Sequence, residues 1–351
     1  MRHGIVPPYL LQHLSRLDRD DLRPAAAAAR RALMSDLRPR PGRPTALPDR
    51  PPAPVEPSGP DRTVADAGGR EELPGRTVRR EGDESTGDVA VDEAYDGLGA
   101  TYHFFAEVFG RASIDGAGLP LLATVHYGDA YDNAFWDGTQ MVFGDGDGQV
   151  FGRFTASLSV IGHELAHGVT EHTAALEYQG QSGALNESLS DVFGALVEQH
   201  SRGQSADEAS WLIGEGLFTD QVEGDALRSM RAPGTAYDDD VLGKDPQPAS
   251  MDEYIDTTDD NGGVHLNSGI PNRAFYLAAT TIGGNAWDGA GRLWYDTLTG
   301  GLSPTATFDD FAAATADAAV VRFGAESVEH RAVVDAWSTV GVPIGDTGTD
   351  G

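Results

Sequence analysis

His163-Glu164-Leu165-Ala166-His167 is the stretch on which the reading of this chain turns. On an α-helix, histidines four residues apart lie about 40° apart in azimuth and ~6 Å apart along the axis, close enough to grip one metal ion. With Glu164 beside the first of them, the pentapeptide has the HExxH form, in which two imidazoles hold zinc and the glutamate acts as general base. A catalytic zinc takes three protein ligands and keeps a fourth position open. Glu187 follows His167 by 20 residues, within Gly183-Ala184-Leu185-Asn186-Glu187-Ser188-Leu189-Ser190-Asp191. Glu187 and Asp191 are one helical turn apart and share a face. Glu187 can ligate the metal, while Asp191 can accept a hydrogen bond from a ligand imidazole and fix its tautomer.

Composition narrows what such a site can be. Cysteine is absent, which excludes disulfides, thiolate ligands and cysteine nucleophiles and leaves His, Asp and Glu to hold any metal. The 351 residues carry 55 Asp and Glu against 25 Lys and Arg, a net charge of −30. Nucleic acid and anionic membrane are therefore not expected partners. No uncharged run approaches the ~20 residues that span a bilayer, and the first thirty residues lack a signal-peptide core. The expectation is a soluble monomer, cytoplasmic or exported to the extracellular space without a recognisable signal. With 40% hydrophobic residues the chain is globular, in one large domain or two.

The charge is uneven. Residues 1–80 hold 15 Arg against 10 Asp or Glu and 13 of the 20 prolines, whereas 81–351 hold 10 basic against 45 acidic residues. A basic, proline-rich head would be drawn electrostatically to an acidic body. Within the head, Ile5 to Leu11 is apolar, and Asp20, Asp21 and Pro24 open a helical pattern continuing through Leu37. Residues 38–75 read as linker. From 88 to 156, short strands and turns are expected, with Leu121 to Tyr127 and Gln140 to Phe143 as strands and Gly144 to Gly148 as a tight connection. Helices are expected from about 158, capped by Ser157 or Ser159, and from Asn186 to His200, 268 to 281, 286 to 298, 307 to 317 and 326 to 338. The divisions are 1–75 head and linker, 76–157 strand-rich, 158–345 helical and 346–351 tail.

Further motifs follow in order: Asn133-Ala134-Phe135-Trp136, Tyr178, Gly224-Asp225-Ala226-Leu227-Arg228-Ser229-Met230, and Asp259-Asp260-Asn261-Gly262-Gly263-Val264-His265-Leu266-Asn267-Ser268-Gly269. Together with the zinc motif, and over roughly residues 88–342, they resemble the thermolysin-like zinc metallopeptidases. The resemblance implies an α+β, two-domain zincin, strand-rich then helical, with the zinc helix at the junction and one catalytic Zn2+ on His163, His167 and Glu187. It implies that Glu164 is the base, that Tyr178 and His265 stabilise the transition state, and that Asp260 orients His265. It further implies that Asn133 and Ala134 hold an extended peptide by strand addition and that Arg228 grips a substrate carbonyl. The positions matching its pocket, Phe151, Phe154, Val160, Ile213 and Leu227, are all apolar, so peptide or protein substrates should be cut before Leu, Phe or Ile.

Val6-Pro7-Pro8-Tyr9-Leu10-Leu11 resembles the short pro-segment of protealysin-like precursors, whose PPYL motif falls on Pro7, Pro8, Tyr9 and Leu10. That implies an inhibitory head docked over the cleft and removed by cleavage between about 38 and 85. For the family's calcium cluster the chain offers Glu198 and Glu215 but has Ser159, Ser210 and Gly216 where acids are expected. A separate site on Thr219, the Val222 carbonyl and Asp225 would bring the Ca2+ count to between zero and two. Two other readings compete. An aminopeptidase would need an acidic anchor for the free amine, often in a Gly-x-Met-x-Asn stretch, which is absent. A catalytically silent zincin acting as a binding or regulatory module would be expected to lose its base or a ligand, and Glu164, His163, His167, Glu187 and His265 are all present.

Overall fold

The computed structural model describes residues 4–36 and 55–344. Residues 38–54 of the expected linker, the end of the expected head helix at Leu37 and the 346–351 tail lie outside the described residues. The head begins with an extended Gly4–Val6, then α1 (Pro8–Ser15) and α2 (Arg23–Asp36). Pro8, in the first turn, needs no hydrogen-bond donor there. α1 buries Leu10, Leu11 and Leu14, and α2 buries the alanine stripe Ala25, Ala28, Ala29 and Ala32, so the two small helices pack closely together. Within the described part of the head, few arginines pair with the body. Among the described residues, Arg31 with Asp129 at 3.7 Å is the pair joining head to body, while Arg19 and Arg23 pair with Asp21 and Asp20 of the head itself. The apolar surface of Ile5, Val6 and the leucines holds the head down.

The body opens with β1 (Arg62–Asp66) and β2 (Arg76–Arg80), then α3 (Val89–Phe109), β3 (Leu121–Val125), β4 (Ala134–Trp136) and β5 (Met141–Phe143). The five strands form one sheet in the order β2-β1-β3-β5-β4, with β1 parallel to β3 and β4 at an edge. Two expectations are corrected here. Residues 62–66, read as linker, run inside the sheet; five residues are too few to display a period, and pairing on both sides makes them a strand. The stretch read as strands and turns begins with a 21-residue helix. Gly97 and Gly99 depress helix propensity along α3, but tertiary packing overrides it: a Cβ at Gly97 would stand 2.3 Å from Ile161 Cδ1. Asp88 caps α3 by accepting from the Ala90 and Val91 amides.

α4 (Leu158–Glu171) and α5 (Gly180–Arg202) form the buried centre of the remaining chain. They cross where Gly162 meets Gly194; a Cβ at Gly194 would lie 2.4 Å from the Ser159 carbonyl and 2.9 Å from the His163 nitrogen. Ser157 occupies the N-cap of α4 without bonding its amides, its hydroxyl turning to Ser159 instead. α5 starts six residues before the expected Asn186. Its first turns are weak helix formers, and burial of Ser182, Gly183, Ala184 and Leu185 recruits them. Two short strands, β6 (Leu212–Ile213) and β7 (Arg228–Ser229), pair beyond it. Then come α6 (Asp260–Asn267), α7 (Gly269–Ile282), α8 (Ala290–Thr299), α9 (Phe308–Phe323) and α10 (Val328–Thr339). Among the described residues, no helix is long and apolar enough to cross a membrane. Gly97→Ala is expected to force α3 away from α4 and lower stability by about 1–3 kcal/mol, measured as a reduced urea midpoint.

Candidate active site

The helix crossing turns three donors toward one point. His163 Nε2 and His167 Nε2 lie 3.1 Å apart, and Glu187 reaches them at 3.6 Å and 3.5 Å. All three residues are buried, and their ligand atoms lie within 4.8 Å of one another. Glu187 Oε2 is buried and receives no hydrogen bond. Such an oxygen is costly to leave unpaired, and with two imidazoles facing it the donor set fits zinc.

The outer ring nitrogens are committed elsewhere. His163 Nδ1 donates to Asp191 Oδ1 at 2.7 Å, as the i, i+4 spacing from Glu187 predicted. His167 Nδ1 sits 2.8 Å from Asn186 Oδ1 and 3.0 Å from Ser190 Oγ, two α5 neighbours that the sequence reading passed over. Asp191 is clamped by Arg228 Nε and Nη2, each at 2.8 Å, and by Asn272 Nδ2 at 2.8 Å. Burial opposes its charge, but Arg228 and His163 outweigh burial and hold the carboxyl well below its ordinary range. For Glu187 burial is likewise overcome, by His265, His167 and His163.

Glu164 projects from the same helix, and the Trp136 amide donates to its Oε2 at 2.8 Å. Tyr178 donates to Glu187 Oε1 and lies 3.3 Å from His265 Nε2. Residues Asp260 to Gly263 all adopt positive φ, a left-handed turn that only glycine enters freely. The turn folds the Asp260 carboxylate back onto His265, accepting from its amide at 2.9 Å and from Nδ1 at 2.7 Å. Burial would lower the His265 pKa, but Asp260 and Glu187 raise it to about 9. The expected pocket residues Phe151, Phe154, Val160, Ile213 and Leu227 are all fully buried.

The β4 edge is covered by the head. Gly4 bridges Phe135 in antiparallel sense, and the Ile5 amide donates to the Ala134 carbonyl at 3.0 Å. Asn133 accepts from the Val6 amide at 2.9 Å and donates to the Val6 carbonyl at 3.4 Å, while Arg228 Nη1 donates to the Ile5 carbonyl at 3.0 Å. Tyr9, of the PPYL motif, places its hydroxyl out of solvent near Tyr237 and Asp245. Asp36, which no sequence motif signalled, accepts from Asn133 Nδ2 at 3.1 Å and from the Tyr131 hydroxyl. A cavity of about 380 Å³ remains between the head and the Asp260 and His265 side chains.

The calcium expectation meets a different arrangement. Glu198 Oε1 pairs with Arg202 at 2.5 Å, and Glu215 lies 3.8 Å from the same guanidinium, so an arginine stands between the two acids. The Thr219 hydroxyl donates to the Gln149 carbonyl. Among the described residues, His163, His167 and Glu187 form the one group of three or more such side chains suited to a metal. Asp191→Ala would free His163 Nδ1 and strand Arg228. It is expected to weaken zinc binding about 10- to 100-fold, measured by chelator competition.

Residues 63–171 match the family described as thermolysin metallopeptidase, catalytic domain, and residues 174–342 match thermolysin metallopeptidase, alpha-helical domain. An extracellular metalloprotease of Pectobacterium carotovorum subsp. carotovorum is 51% identical over 345 residues, covering 97% of this chain and 96% of its own. A thermolysin of Alicyclobacillus acidocaldarius subsp. acidocaldarius is 42% identical over 262 residues, 73% of this chain and 46% of its own. Among solved structures, the precursor of protealysin from Serratia proteamaculans superposes with a TM-score of 0.88 at 52% identity, covering 97% of this chain and 99% of its own. With both domain families matched in order around a His-His-Glu group, the chain belongs to the thermolysin metallopeptidases, zinc-dependent hydrolases of peptide bonds.

Proposed function

We propose that this neutral metalloendopeptidase is latent as synthesised, its head lying in the cleft as a substrate would, and that it cuts before Leu, Phe or Ile once the head is removed. The observation that carries the reading is the set of bonds from Ala134, Asn133 and Arg228 to the backbone of Ile5 and Val6. Those groups recognise main chain and so would hold any extended peptide. Selectivity then falls on the apolar pocket of Phe151, Phe154, Val160, Ile213 and Leu227.

His163, His167 and Glu187 would hold the zinc, which when bound supplies Lewis acidity and acidifies a water. Glu164, oriented by the Trp136 amide, takes the proton of the attacking water and passes it to the leaving amine. Tyr178 and His265 aim donors at the oxygen that gains charge as the carbonyl becomes tetrahedral, an attraction stronger in the transition state than before it. Asp260 keeps His265 Nε2 facing that oxygen by engaging Nδ1.

Removal of the head must spare β1, which belongs to the sheet, so the cut falls before Arg62. Between residues 37 and 61 the bulky apolar residues are Leu37, Leu47 and Val55. The bonds before Leu37 and Leu47 are the ones that the proposed specificity would cut, and the head and linker accordingly end before 62. The relatives named as extracellular support action outside the cell.

Glu164→Gln is expected to keep stoichiometric zinc by elemental analysis and lose about a hundredfold or more in turnover of casein or a blocked dipeptide. Cleavage of the blocked substrate separates an endopeptidase from an aminopeptidase; a mutant as active as wild type would overturn the assignment. The uncut chain should be nearly inactive and gain activity on trimming, with the new N-terminus found by Edman sequencing between 37 and 61. Full activity of the intact chain rules out latency, and a peptide library favouring charged residues after the cut rules out the apolar pocket.

A further inference from the structure

Behind the Asn133 edge lie two carboxyl groups that play no part in the scheme above. Asp132 is 0% exposed, and neither of its oxygens receives a well-aligned hydrogen bond; the same holds for Oδ2 of Asp147. Asp147 Oδ1, in contrast, accepts from three successive amides, Gln149 at 2.7 Å, Val150 at 2.7 Å and Phe151 at 3.2 Å. The Asp147 side chain lies against the Asp132 carboxyl. A fully buried carboxylate facing a second one cannot stay charged beside it at neutral pH. One shared proton relieves the repulsion and satisfies an oxygen on each side. Asp147 Oδ1 is already engaged by three amides and Asp132 is the fully buried partner, so the proton belongs on Asp132.

We propose that Asp132 is a neutral carboxylic acid whose O–H donates to Asp147 Oδ2, and that this bond positions Asn133 and Phe151 relative to each other. Asp132 immediately precedes Asn133, and the third amide on Asp147 belongs to Phe151. The two segments meet without slack. The Gly144 amide donates to the Asn133 carbonyl at 3.0 Å, the Gly146 amide to the Tyr131 carbonyl at 3.3 Å, and a Cβ at Gly144 would stand 1.9 Å from that Tyr131 oxygen. Movement of the Asp132–Asp147 pair therefore reaches both the edge that would bind peptide backbone and the pocket wall.

Burial pushes the Asp132 carboxyl well above the usual carboxylate range, and the Asp147 carboxylate pushes it further, while the Asp147 backbone amide opposes that rise. Arg31 of α2 is the cation acting on it and opposes that rise, while Asp36 on the same helix faces Tyr131 and Asn133. In the loop that carries Asp147, Asp145 is taken by His126. Removing the head removes Arg31, so the trimmed enzyme should hold the proton to higher pH than the precursor.

The kinetic half of the test rests on the endopeptidase reading of the Asn133 edge; the spectroscopic half does not. Infrared titration of zinc-loaded, trimmed enzyme should reveal a protonated-carboxyl absorption at neutral pH that vanishes at alkaline pH and is absent from Asp132→Asn. No such absorption, or one unchanged in that variant, overturns the shared proton. In Asp147→Asn the absorption should be lost at lower pH, and an unmoved titration overturns the pairing even if Asp132→Asn does not fold. For a blocked dipeptide, KM should rise in wild type as Asp132 ionises, with kcat unaffected by that step. Asp132→Asn, whose amide still donates to Asp147, should show no such rise, whereas Asp132→Ala should have KM raised about three- to tenfold throughout, the fold-change of one buried hydrogen bond. A wild-type rise that persists in Asp132→Asn overturns the positioning role.

Discussion

The close approach of α4 and α5 at Gly162 and Gly194 is the constraint on which everything else in this protein depends. Without a side chain on either residue, the two backbones come near enough for histidines on one helix and a glutamate on the other to share a single point. That geometry gathers charge as well as ligands. Glu187 and Asp191 are both buried on α5, and two anions there persist only because imidazoles and Arg228 compensate them. The site is thus organised in layers, each fixing the protonation of the layer inside it: Arg228 and Asn272 hold Asp191, Asp191 holds His163, and the ligand nitrogens are left facing inward.

Arg228 belongs to two systems at once. Two of its nitrogens clamp Asp191 and the third reaches the Ile5 carbonyl. Peptide backbone in the cleft is therefore connected, through one guanidinium, to the residue that orients a ligand histidine. The head exploits main-chain recognition that is indifferent to side-chain identity, and it adds apolar burial from α1 and α2 that a short peptide lacks. Its basic composition, the most visible feature of the sequence there, supplies a single close ion pair to the body among the described residues. Surface pairs of that kind contribute little in water, so packing governs the docking of the described head residues.

Much of the site was legible before any fold was known. Spacing paired His163 with His167 and Glu187 with Asp191, because one helical turn is a fixed distance whatever surrounds it, and the family resemblance joined the two pairs. The partners Asn186, Ser190 and Asn272 were not legible, since a small polar residue on a buried helix carries no signal of what it faces. The same applies to Asp36, whose contact with Asn133 spans 97 positions. Segment 62–66 and helix α3 were misread for a related reason: a five-residue strand has no room for a period, and glycines in α3 that argue against a helix in isolation are what permit it to touch Ile161.

By itself the sequence determined the chemistry on offer: a metal site without thiolates, a carboxylate beside its histidines, a set of apolar residues and an apolar motif near the N-terminus. These follow from residue type and from short, rigid spacings that local geometry cannot alter. Tertiary structure alone decided which of those groups meet. The left-handed turn that folds Asp260 onto His265, the arginine between Glu198 and Glu215 and the burial of Asp132 against Asp147 each depend on chain segments distant in sequence or on backbone conformations held by their surroundings. Contacts of that kind are fixed by packing, which no local pattern encodes.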